Sequence, residues 1–95
     1  MLNRMKTQIR RLVVDSLKPR ETSTLELSKS LCEVDGVSEV DLVVTEVDSR
    51  TETIRVTIRG QHINYDGVMK VMNDHGATIR SVDEINVGRA PAPSK

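Results

Sequence analysis

A chain of 95 residues with a single cysteine has room for one hydrophobic core and no disulfide framework, which fits a reducing compartment. Fourteen basic side chains cancel fourteen acidic ones, so the electrostatic footprint of a general nucleic-acid binder is missing. No stretch approaches the roughly 18–20 apolar residues that cross a bilayer, and no apolar run follows the N-terminal charges; the expectation is a cytoplasmic protein with neither membrane nor nucleic acid as partner.

Residues 1–7 show no periodicity and are expected to form a flexible leader, so that a single domain covers residues 8–88. Residues 8–17 carry branched apolar side chains on both alternating faces, the pattern of a central strand covered on two sides, and Pro19 stops it by removing an amide donor. Ser23 followed by Glu26 has capping-box spacing and opens a helix over residues 24–34, with Leu27, Leu31 and Val34 as its buried stripe and Gly36 beyond its end. From Val37 the period changes to two. Val40, Leu42 and Val44 point one way, while Asp41, Val43, Thr45 and Val47 point the other. A polar turn at residues 48–51 leads into a third strand, where Ile54, Val56 and Ile58 alternate with Thr53, Arg55, Thr57 and Arg59. Asn64 is an N-cap candidate for a second helix that buries Val68, Val71 and Met72 and ends at Gly76 after His75. In the last strand, residues 77–87, the apolar Ile79, Val82, Ile85 and Val87 do not keep one parity, which calls for a bulge near residues 82–84. The Pro/Ala-rich residues 89–95 are expected to be a disordered tail.

Strand, helix, hairpin, helix, strand is the split βαβ order. It predicts an α+β ferredoxin-like βαββαβ sandwich: a four-stranded antiparallel sheet, first and third strands central, two helices on one face. A domain this small buries only roughly 60–65% of the surface its unfolded chain exposes, so self-association is an inexpensive source of extra stability. Val13, Val43 and Val47, with Arg55 and Thr57 among them, are expected on the helix-free face, and that face or the long hairpin of the second and third strands is expected to join copies into a homo-oligomer.

No phosphate-binding glycine loop, nucleophile elbow or His-Glu-x-x-His segment occurs, so catalysis is not expected. RNA recognition by base stacking is disfavoured because Phe and Trp are absent and Tyr65 falls on the second helix. His62 and His75 lack metal-ligand spacing, and His75 suits a helix C-terminus. Asp15 lies inside the most apolar strand and needs a partner. Antiparallel pairing with the last strand sets it near Ser81 and within diagonal reach of Asp83 or Glu84. This predicts either oxygen ligands for Ca²⁺ or Mg²⁺, or pairing with Arg80, Arg11 or a neighbouring subunit. Glu46, Asp48 and Glu52 bracket the hairpin turn, as a second cation candidate or a solvated acidic turn. A small-metabolite sensor remains a third option with no ligand specified, although the loop after the first strand, residues 18–22, lacks glycine.

Residues 11–19 (RLVVDSLKP), 46–48 (EVD) followed by 51–53 (TET), and 81–84 (SVDE) resemble recurring segments of the archaeal domain of unknown function 211 family, in order and spacing, over about residues 8–88. The resemblance implies a ferredoxin-like fold and ring-like or larger homo-oligomers, with divalent cations in some members. It implies no established activity and no ligand set.

Overall fold

Branched apolar residues at every second position, interrupted by two capped amphipathic segments, fold as that order requires. In a computed structural model, which describes residues 6–90, the elements are β1 (Lys6–Pro19), α1 (Thr24–Cys32), β2 (Val37–Val47), β3 (Thr51–Gly60), α2 (Tyr65–Asp74) and β4 (Thr78–Ala90). The strands form one antiparallel sheet in the order β2-β3-β1-β4, so β1 and β3 are central. Leu27 and Leu31 of α1 and Val68 and Met72 of α2 share one buried cluster with Leu12, Val14, Ile54, Val56 and Ile58, which places both helices on the same sheet face. The domain is an α+β ferredoxin-like βαββαβ sandwich.

Both N-caps read from the sequence are made. The Ser23 hydroxyl accepts from the Glu26 amide at 3.1 Å, and the Asn64 side-chain oxygen accepts from the Gly67 amide at 3.0 Å. Each satisfies an amide that has no partner within its helix. Ser23→Ala is expected to lower stability by about 1 kcal/mol, read as a shift in the urea midpoint with an unchanged slope. α1 ends two residues short of residue 34, and Cys32 on its last turn is exposed.

Two boundaries differ from expectation. β1 begins at Lys6 and β4 runs to Ala90, with Thr7 opposite Arg89, so residues 6, 7, 89 and 90 belong to the sheet. The rest of the expected leader and tail lies outside the described residues. A strand of 13 or 14 residues reaches about 45 Å, whereas a helix of nine or ten reaches about 15 Å, and the molecule is accordingly 56 Å long. The helices therefore shelter only the middle of the sheet.

Register shifts decide which side chains reach which face. Along β1–β4 they leave Arg10, Asp83 and Arg80 without a partner residue, and along β2–β3 they leave Ser38 and Thr45. The extra residues at Arg80 and Asp83 put Ile79, Val82, Ile85 and Val87 all on the helix side, as their broken parity required. The extra residue at Thr45 has the opposite effect on expectation. Val47 pairs with Glu52 and so lies on the helix side, not on the open face with Val43.

Continuing the inward parity of Leu12, Val14 and Ser16, Lys18 is also fully buried. Its ammonium donates to the carbonyls of Thr22 at 2.6 Å and Pro19 at 2.9 Å, and lies 2.7 Å from Glu52 Oε1 on the neighbouring strand. Glu52 Oε1 receives no well-aligned hydrogen bond, so its compensation is the charge of Lys18.

Candidate functional site

The helix-free face is where sequence reasoning placed the chemistry, and its residues follow from the register. Glu39, Asp41, Val43 and Glu46 of β2 face Arg59, Thr57, Arg55 and Thr53 of β3. Beside them lie Arg11, Val13, Asp15 and Leu17 of β1, then Asn86, Glu84, Ser81 and Thr78 of β4. Opposite charges interleave. Arg59 lies 2.6 Å from Asp41 and 3.6 Å from Glu39, Arg11 is 3.0 Å from Glu84, Asp15 is 3.8 Å from Arg80, and Arg55 is 4.0 Å from Asp83. The hydrogen bond to Asp41, with the charges of Asp41 and Glu39, raises the pKa of Arg59. Singly, such exposed pairs contribute little, but their aliphatic stems cover apolar neighbours. Val13 is only 1% exposed on a face that no helix touches, so these side chains are what shelter it.

The five residues expected on the self-association surface are placed unevenly. Of its five residues, Val13 is buried under ion pairs, Arg55 is engaged with Asp83, Thr57 is half-buried between strands, and Val47 is on the other side of the sheet. Val43 alone is an exposed apolar group there, at 54%. The open face is polar.

The proposed cation ligands are also dispersed. Asp15 does lie opposite Ser81, yet its carboxylate faces Arg80, while Glu84 is taken by Arg11 and Asp83 accepts from the Ser81 hydroxyl at 2.6 Å. Thus the ion-pair alternative for Asp15 is the one present. Around the hairpin, Glu46 is on the open face, Glu52 is held by Lys18 on the helix side, and Asp48 lies in the turn, where its amide donates to the Thr51 carbonyl. Among the described residues no three His, Cys, Asp or Glu side chains converge as a metal site. His75 caps α2 with its Nδ1 2.9 Å from the Val71 carbonyl and its Nε2 3.5 Å from Ser30 Oγ, tying the two helices together.

Two features escaped sequence reasoning. The first is a depression of about 580 Å³ at one end of the sheet, lined by Arg10, Arg11, Ser38, Glu39, Arg59 and Gln61, with Gly36 and Gly60 contributing backbone only. Two consecutive arginines in an alternating strand were its only sequence signal. The second is a pair of apolar sheet edges. β2 exposes Val43, Val44 and Val47, and β4 exposes Val82, Ile85 and Val87, the last three between 43% and 52% although they are on the helix side, because α2 barely reaches β4.

No helix among the described residues is long and apolar enough to cross a membrane. The sequence profile of domain of unknown function 211, described as "Uncharacterized ArCR", matches residues 10–91. An uncharacterized protein of Methanocaldococcus jannaschii is 35% identical over 81 residues, which span 85% of this chain and 84% of the relative. With most of its length matched on both counts, the chain belongs to the domain of unknown function 211 family.

Proposed function

We propose that the protein is a non-enzymatic, self-assembling module whose copies join through the two edges of the sheet. The observation that carries this is the pair of long edge strands, of 11 and 13 residues, each lacking proline and each exposing apolar side chains. An edge strand offers a row of unpaired main-chain donors and acceptors to another strand, and here the bulges at Ser38, Thr45, Arg80 and Asp83 interrupt that row while leaving the apolar side chains exposed. Because β2 and β4 are different surfaces, joining one to the other is a head-to-tail contact, which repeats into a closed ring or an open filament. A cytoplasmic location agrees with the exposed free thiol of Cys32.

Light scattering on the eluting protein tests the reading. A mass of several chains is expected, and Ile85→Lys combined with Val87→Lys is expected to reduce it to that of one chain, since a charge on each apolar edge position opposes pairing. A native protein that elutes as a monomer at micromolar concentration defeats the proposal. A second reading, divalent-cation capture between copies, is favoured by Glu46 and Asp48, which make no ion pair among the described residues and stand at the exposed end of β2. Calorimetry with Ca²⁺ and Mg²⁺ on the assembled protein measures this, and absence of heat removes it.

A further inference from the structure

In a regular strand Arg10 and Arg11 would project to opposite faces. Here the register slips between Ile9 and Arg11, leaving Arg10 as the extra residue of a bulge, and both arginines line the same depression. Arg11 is in turn the direct cross-strand partner of Arg59, an arrangement of like charges that is unfavourable unless something negative answers it. Part of the answer is internal. Glu84 engages Arg11 through Nε only, and Asp41 and Glu39 share one terminal nitrogen of Arg59. Arg10 has no carboxylate partner among the described residues; one of its terminal nitrogens donates to the Arg89 carbonyl at 3.3 Å. Among the described residues each of the three guanidiniums therefore keeps N–H groups uncommitted, and Glu39 is the one acid lining the depression.

The position of Arg10 is also prepared. Its guanidinium lies over Gly88, where a Cβ would stand 2.7 Å from Cζ and 2.9 Å from a terminal nitrogen, so any side chain at position 88 would lift it away. At about 580 Å³ the depression has the size of a small-molecule site. Three planar forks from separate directions offer more donors than the two oxygens of a carboxylate accept, and they match the several oxygens and double charge of a phosphate.

We propose that the depression at the Arg11–Arg59 crossing binds a small phosphate-bearing anion, with the bulged Arg10 as its principal contact. The site is formed within one chain and does not depend on assembly. Calorimetric titration of the full chain with inorganic phosphate, pyrophosphate and ATP, at low ionic strength and against sodium chloride of equal ionic strength, is the test. Saturable binding of pyrophosphate or ATP is expected, at least tenfold weaker in Arg10→Gln. Gly88→Ala, which leaves net charge unchanged and displaces only the flexible end of Arg10, is expected to weaken it several-fold with circular dichroism and thermal midpoint preserved. No saturable heat with any of the three anions overturns the proposal, as does binding that is equal in Arg10→Gln and in the native chain. Heat reproduced by chloride alone overturns it too.

Discussion

Glu52→Ala is expected to destabilise the protein by about 3–5 kcal/mol, the usual cost of stripping one partner from a buried ion pair. The reason is geometric. Lys18 has no exposed surface, its two carbonyl partners are neutral, and among the described residues Glu52 is the one group that balances its charge. With that carboxylate gone, an ammonium is left in a place that water does not reach, and desolvation of a charge is far more costly than loss of a surface pair. Lys18→Met with Glu52→Leu removes both charges and keeps the volume, and this double variant is expected to recover most of the loss. Urea denaturation at one fixed protein concentration measures both, because assembly would otherwise shift the midpoint. For a domain of this size a loss of 3 kcal/mol corresponds to a fall of at least about 12 °C in Tm. A single variant within 1 kcal/mol of the native chain would show that Lys18 is solvated.

Gly60→Ala is expected to cost about 3 kcal/mol, at the upper end of what overpacking does. A Cβ on Gly60 would overlap the carbonyl oxygen of Gly36 and lie 2.9 Å from its carbonyl carbon. These are backbone atoms, pinned where β2 starts by the hydrogen bond from the Gln61 amide to the Gly36 carbonyl at 2.9 Å, so they have no rotamer into which to retreat. Gly36 cannot give way either, since its φ is +87° and its own Cβ would meet the His62 carbonyl oxygen at 2.3 Å. Gly88→Ala is the control, because the atoms it meets are the far end of Arg10. A thermal melt followed by circular dichroism separates the two substitutions, and equal midpoints would mean that the chain crossing at Gly36 and Gly60 is looser than described.

Both predictions concern residues whose importance the sequence conceals. Lys18 follows an apolar run and precedes a proline, so it reads as the polar end of a strand. Only when β1 and β3 are paired does it fall opposite Glu52 under the loop to α1. Gly60 reads as a strand terminator, and its tight approach to Gly36 exists only because β2 and β3 meet at that end of the sheet. The same holds for the arginines. Arg10 and Arg11 are unremarkable on a helical or strand wheel, and it is one slipped residue in the pairing with β4 that gathers them beside Arg59.

The split βαβ order made β1 and β3 central, and periodicity and capping were sufficient to determine the number and order of elements and the inward residues Leu27, Leu31, Ile54, Val56 and Ile58. These depend on neighbours a few residues away: alternation at period two, a stripe at three to four, a Ser or Asn that accepts from an amide three residues on. Asp15 opposite Ser81 was legible for a similar reason, since hairpin and crossover order leave little freedom in pairing. The tertiary structure alone decided which face each side chain occupies beyond a bulge. One extra residue turns a strand over, so Val47 leaves the open face, and Asp15, Asp83 and Glu84, expected to gather round a cation, find arginines instead. A bulge is settled by the balance between two strands distant in sequence: the broken parity of β4 recorded the one at Asp83, while nothing within β1 or β2 recorded those at Arg10 and Thr45.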